Sequence, residues 1–199
     1  MVPLSSTDLV AQAHGLLGRT LHGHGVTVRL TEVEAYAGPD DPASHAATRT
    51  PRSEIMYGAP GRLYVYRSYG LHHCANVVTG PSGHAAAVLL RAGEVVDGLD
   101  LARQRRGVVD DDARLARGPG NLASALGLTL ADNGADLDGD DAPRLGPPGG
   151  PGRPVVTGPR VGVASAADVP WRFWLEGETT VSAYRRNPRA PGGPGALRP

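Results

Sequence analysis

The stretch that most constrains this chain runs from Val26 to Tyr36, where β-branched residues alternate with polar ones directly after Gly23 and Gly25. That content and that period predict a strand. Successive side chains of a strand point to opposite faces, so Val26, Val28 and Leu30 are expected to share a face with Glu32, Glu34 and Tyr36, while Thr27, Arg29 and Thr31 take the other. Two carboxylates then continue an apolar face. A buried carboxylate is costly unless it is paired. Such a strand either closes on a pocket at its end or twists out of the core before Glu32 and leaves both acids in water; the spacing permits both.

Upstream, Ser5 and Asp8 have capping-box spacing, and Leu9, Val10, Ala13, Leu16 and Leu17 follow at helical intervals, which predicts a helix from Thr7 to Thr20. A polar loop, Ala37 to Pro60, follows the strand, and a loop of this length inside a domain is usually functional. Leu63 to Ser68 and Leu71 to Thr79 read as two strands hinged at Tyr69-Gly70, and His84 to Ala92 as a third beyond the Gly80-Pro81-Ser82-Gly83 turn. Helical patterns return at Leu99 to Arg105 and from Gly118-Pro119-Gly120-Asn121 to Leu126, with strand-like runs at Val155 to Val163 and Trp171 to Glu176. Gly139 to Pro154 reads as a flexible loop. A chain of 199 residues without internal repeats is expected to form one domain, residues 1–186, followed by a disordered tail at 187–199.

Composition excludes several chemistries. The one cysteine, Cys74, has no partner for an internal disulfide, and no leader or long apolar run is seen, so a cytoplasmic protein without a membrane span is expected. Net charge is zero, but from Arg49 to Arg91 five arginines face only Glu54, whereas Asp132, Asp136, Asp138, Asp140 and Asp141 form an acidic run. This is either a basic surface for phosphate beside an acidic loop held away from it, or two solvated loops of opposite sign. There is no lysine at all, which removes side-chain Schiff-base chemistry and leaves water as the expected nucleophile. No glycine-rich phosphate loop is present, and Arg67-Ser68-Tyr69-Gly70 lacks the leading glycine of a serine-hydrolase elbow. Adjacent His72, His73 and Cys74 alternate across a strand and have no second ligand pair, so neither metal nor cofactor is expected.

Tyrosines are the largest group among the scarce aromatics. Tyr36, Tyr64, Tyr66 and Tyr69 fall in the same part of the chain as Glu34, His45 and the arginines. Each alone is an ordinary packing residue; together they are what an enzyme needs to grip an extruded base and attack its sugar.

The run Thr31-Glu32-Val33-Glu34-Ala35-Tyr36-Ala37-Gly38-Pro39 is followed by Ala43-Ser44-His45, Thr50-Pro51-Arg52 and Leu63-Tyr64-Val65-Tyr66-Arg67-Ser68-Tyr69-Gly70. Asn76-Val77-Val78, Ala87 to Ala92, Arg117 to Leu122 and Arg160-Val161-Gly162-Val163 continue the order. This series resembles the alkyladenine (3-methyladenine) DNA glycosylase family from Leu9 to about Tyr184. The resemblance implies a single compact α+β domain on a curved, mainly antiparallel sheet flanked by helices. It implies a monofunctional enzyme of base excision repair, a monomer acting on duplex DNA at the nucleoid, that flips alkylated or deaminated purines and hydrolyses the N-glycosidic bond. By the same resemblance Glu34 is the general base, Arg91 and the main chain near Val163 help hold the water, and Glu32 is not the base. Tyr36, His45 and Tyr66 line the pocket around the flipped base, Asn76 sits against its edge and disfavours guanine, and Tyr69 fills the gap left in the duplex.

Two other functions fit parts of the pattern. A non-catalytic module for damaged DNA or RNA needs the aromatics and arginines but no carboxylate at Glu34. A hydrolase of free nucleosides leaves Tyr69 and the arginine-rich middle unexplained.

Overall fold

The computed structural model describes Leu4 and residues 7–192; Ser5, and the part of the expected tail from residue 193 onward, lie outside these described residues. Helix α1 (Leu9–Leu16) starts at Asp8, whose side chain accepts from the Ala11 amide at 2.9 Å. It stops four residues short of the expected end. Leu17 is already extended, and Gly18 takes φ 80 so that its amide can reach the Leu30 carbonyl at 2.8 Å. Thr20–His22 then forms β1 instead of a last helical turn.

The long strand, β2 (Thr27–Tyr36), is the centre of the molecule. Strands β3 (Leu63–Ser68), β4 (His72–Thr79) and β5 (Ala86–Asp97) follow it; β6 (Arg144–Leu145), β7 (Val155–Gly158) and β8 (Arg172–Leu175) come later. All pairings are antiparallel, in the order β3-β4-β5-β2-β1-β6, with β8 pairing the far half of β2 and β7 pairing β8. The outcome is the α+β class and the single compact domain expected, with a curved antiparallel sheet.

Helices α1, α2 (Leu99–Arg106) and α3 (Pro119–Leu126) cover one face. Leu16, Leu17, Leu122 and Leu126 pack there, fully buried, against Val28, Leu30, Leu63, Val77 and Val88. Each such leucine contributes about 1.5–3 kcal/mol relative to an exposed one.

The alternation along β2 does not survive its whole length. Leu30 pairs with Gly93, Glu32 with Ala92 and Val33 with Leu90, so Thr31 is an extra residue on β2 and Arg91 an extra residue on β5. These two bulges compensate in register but switch the faces of both strands. Val28 and Leu30 are followed in the core by Val33 and Ala35, and the expectation that Glu32, Glu34 and Tyr36 continue the apolar face is therefore wrong. The carboxylates point to the other side of the sheet.

Other boundaries differ for local reasons. β5 runs five residues beyond Ala92, and β7 ends at Gly158 rather than Val163, because Pro159 and the positive φ of Gly162 turn the chain away from the sheet. The stretch 139–154 contains β6, and the Arg19 guanidinium donates to the Gly146 carbonyl at 2.7 and 3.1 Å. In the described part of the expected tail, the Asn187 side chain donates to the Gly162 carbonyl at 2.7 Å and Ala190 is buried. Among the described residues no helix is long and apolar enough to cross a membrane.

Candidate active site

On the face opposite the helices, the segment between β2 and β3 folds over the sheet in three short 3-10 turns, Gly38–Asp40, His45–Ala47 and Glu54–Tyr57. Ala46 and Met56 pack there against Tyr64, Val78, Ala85 and Ala87, forming a second apolar cluster. Asp41 anchors this roof to the segment after β7: it takes the buried Arg160 guanidinium on both carboxylate oxygens, and Arg160 also donates to the Ala35 carbonyl at 3.0 Å. Between roof and sheet lies a cavity of about 580 Å³.

Tyr36, His45, Tyr66, Asn76 and Arg91 all line this cavity, and Tyr69 stands at its edge. Strand register explains the grouping. Tyr64, Tyr66, Asn76, Leu89 and Arg91 all occupy the non-core face of β3, β4 and β5, at neighbouring positions across the ladder.

Glu34 lies behind that lining, with no exposed surface. Its Oε1 accepts from the Val161 amide at 2.7 Å, with Arg91 Nη1 at 3.5 Å; its Oε2 accepts from the Tyr36 hydroxyl at 2.8 Å. The main-chain partner of the carboxylate is Val161; Val163, near which the resemblance places the main-chain contact to the water, also lines the cavity. Burial, and then the nearby carboxylate, raise the Tyr36 phenol well above its ordinary pKa, so it stays protonated and donates. Burial opposes the charge on Arg91, but Glu34 and Glu32 outweigh it and hold the guanidinium pKa above its usual value.

Glu32 is equally buried but faces a different set of partners. Arg91 Nε (3.1 Å), Arg172 Nε (2.6 Å) and the Ser182 hydroxyl (2.9 Å) all donate to Oε1, and the Ser182 amide donates to Oε2 at 2.7 Å. The cluster holds two carboxylates and two arginines, so its charges balance.

The aromatic wall is built by His45, Tyr64 and Tyr66. The His45 ring stands edge-on to Tyr66 at 4.4 Å, and its Nδ1 lies 3.0 Å from the Tyr64 hydroxyl. Burial and the Arg52 guanidinium push the imidazole down to about 4, so it is neutral at physiological pH. Arg52 itself lies over the Tyr66 ring at 4.8 Å. Asn76 is fixed by a 3.0 Å bond from its side-chain amide to the Tyr64 carbonyl. At the β3–β4 hairpin tip Tyr69 is 93% exposed with φ 50, a left-handed conformation rare outside glycine. Leu71 beside it is 77% exposed.

A second depression, of about 650 Å³, shares Arg91 and Val161 with the first and also contains Arg106, Arg117 and Arg185. The acidic run is partly structural: Asp132 caps the turn Leu130–Asp132 and bonds His24 at 2.8 Å, and Asp136 pairs with Arg62. Among the described residues no group of three or more His, Cys, Asp or Glu side chains could hold a metal.

Sequence reasoning assigned no role to Asp41, Arg160, Arg172 or Ser182. Arg160 stands in a run that carried the resemblance, but nothing local marked its partner, 119 residues away, as Asp41.

Residues 4–179 match the methylpurine-DNA glycosylase (MPG) family. A protein of Mycolicibacterium paratuberculosis is 55% identical over 193 residues, covering 92% of each chain. One of Nocardia farcinica is 55% identical over 205 residues, covering 96% of each. One of Mycobacterium tuberculosis is 54% identical over 193 residues, covering 92% of this chain and 93% of its own. Each is named, by inference, a 3-methyladenine DNA glycosylase. The resemblance read from the motifs is borne out.

Proposed function

We propose, from the fact that this chain belongs to the methylpurine-DNA glycosylase family and is a DNA-3-methyladenine glycosylase, that it flips damaged purines out of duplex DNA and hydrolyses the glycosidic bond with water activated by Glu34. The observation that carries this reading is the fully buried Glu34 carboxylate, held by the Val161 amide and faced by Arg91 directly behind a cavity walled by Tyr36, His45 and Tyr66.

Cleavage develops oxocarbenium character at C1′, which a carboxylate beneath the sugar stabilises while it orients and deprotonates water. The water competes with the Tyr36 hydroxyl for Oε2 or bridges Oε1 and Arg91 Nη1 from the cavity side, these two atoms forming an ion pair at 3.5 Å. Alkylation at N3 or N7 makes the purine cationic, so it leaves without a protein acid; neutral hypoxanthine needs a proton on its imidazole side. Stacking against Tyr36, His45 and Tyr66 favours the cationic base by about 0.5–2 kcal/mol, and a neutral His45 does not repel it. Asn76, pinned by the Tyr64 carbonyl, meets the base edge and disfavours the exocyclic amine of guanine. Tyr69, exposed at the hairpin tip, replaces the flipped base in the stack and offsets part of the few kcal/mol that flipping costs.

The test is single-turnover base release from duplexes carrying 7-methylguanine, ethenoadenine or hypoxanthine, for the natural chain and for Glu34→Gln. We expect release slowed by about 10²–10⁴-fold in the variant, with duplex binding retained. Release unaffected by the substitution removes Glu34 from the mechanism, and no release of any base by the natural chain moves the assignment to a damage-binding module.

A further inference from the structure

Glu32 takes no part in the reaction described above, yet it is fully buried and accepts four hydrogen bonds, two of them from Ser182. Ser182 lies beyond the residues that match the family, 4–179, and its backbone is tied on both sides. Its amide donates to Glu32 at 2.7 Å, and its carbonyl accepts from Arg172 Nη2 at 2.7 Å. Its hydroxyl is shared: it donates to Glu32 Oε1 at 2.9 Å and accepts from Arg91 Nη2 at 3.2 Å.

The consequence falls on Arg91. A guanidinium is a rigid planar fork, so fixing two of its nitrogens fixes where the third points. Nε is held by Glu32 and Nη2 by Ser182, and Nη1 is thereby directed at Glu34 Oε1 but stopped at 3.5 Å. Without the hydroxyl, Nη2 loses its acceptor. Held by Glu32 through Nε alone, the fork is then free to pivot about that bond and turn both Nη groups toward Glu34, the paired geometry that arginine and carboxylate favour.

We propose that Ser182 is a positioning residue for base release: with Glu32 it holds Arg91 so that Nη1 stands 3.5 Å from Glu34 Oε1 without closing a bidentate pair, which leaves both groups free to bond the attacking water from the cavity side. The segment around it is built into the same site. Thr180 bonds Thr31, the extra residue of the β2 bulge, at 2.8 Å. Further along, the Gly162 amide donates to the Arg185 carbonyl at 2.9 Å, beside the Val161 amide that holds Glu34. The chain after Thr179 therefore clamps both the arginine and the main-chain partner of the general base. This inference rests on the assignment of Glu34 and Arg91 in the proposed reaction.

The experiment compares the natural chain, Ser182→Ala and Ser182→Thr by single-turnover release from a 7-methylguanine duplex, duplex dissociation constant and thermal midpoint. Ser182→Ala keeps both backbone bonds; Ser182→Thr keeps the hydroxyl. We expect release to slow about tenfold or more in Ser182→Ala with duplex affinity within about twofold, and the threonine variant to recover most of the rate. Should the alanine variant not fold, Ser182→Cys, which keeps the size but donates weakly, replaces it in the same comparison. An unchanged rate in the hydroxyl-free variant, or a loss of rate matched by an equal loss of affinity, overturns the proposal. Failure of the glycosylase reading is distinct, since the natural chain then releases no base.

Discussion

At the residue scale three groups touch Glu34: Val161, Arg91 and Tyr36. In the proposed pocket His45 is the residue whose charge bears most on the substrate, because a protonated imidazole repels a cationic purine. Its pKa is lowered to about 4, by burial first and by Arg52 second. The unfolded chain, with a histidine near its ordinary value of about 6.5, therefore takes up this proton first as the pH falls. The stability contributed by the neutral imidazole is complete above about 6.5 and is lost as the pH falls from there toward 4. A direct measurement is the NMR titration of the His45 ring, expected to have its midpoint near 4, with affinity for a cationic lesion steady down to about pH 5.5. A midpoint at 6 or above contradicts the environment described for this side chain.

At the scale of elements, most of the fold was legible because each strand and helix carries its own period and its own punctuation. Leu63 to Ser68 and the tip at Tyr69-Gly70 emerged with the expected bounds, and α3 begins at Pro119 as its Gly118-Pro119 start predicts. The paired bulges were not legible. Alternation in β2 looks unbroken through Thr31, and only the partner strand, with Arg91 as its own extra residue, reveals that both strands change faces. That is why the carboxylates were expected on the core side and why the partners of Glu32, drawn from Arg91, Arg172 and Ser182, could not be read from spacing. The residues of the pocket were named through the resemblance, not through periodicity. The roof depends on a tight approach that sequence also hides: Gly38 has φ 69, and a Cβ there lies 2.0 Å from the Ala85 carbonyl oxygen, a backbone atom that cannot step aside. Gly38→Ala is expected to destabilise the chain by about 2–4 kcal/mol, read from urea unfolding, by combining left-handed strain with overpacking. A change below about 0.5 kcal/mol shows that the roof shifts freely, and the cavity is then not preformed.

For the whole molecule, zero net charge conceals a sorted surface. Arg49 is matched by Glu54, Arg62 by Asp136, Arg103 by Asp100 and Asp112, and Arg186 by Asp168. Arg52 and Arg67 at the cavity, and Arg106, Arg117 and Arg185 in the adjoining depression, have no carboxylate within 4.0 Å among the described residues. The two hollows meet at Arg91 and Val161, the two groups that flank Glu34 Oε1. In the proposed reaction a nucleotide with its base in the first hollow has its sugar at that junction, so a flanking phosphate falls within reach of the second. Each phosphate neutralised releases condensed counterions, and the slope of log affinity against log salt steepens by about 0.9 per contact. Arg106→Ala and Arg185→Ala are therefore each expected to make that slope shallower by about one, measured by duplex binding between about 50 and 200 mM salt. Slopes indistinguishable from that of the natural chain, at unchanged fold, place the DNA backbone elsewhere and leave the arginines at the cavity mouth, Arg52 and Arg67, as its contacts.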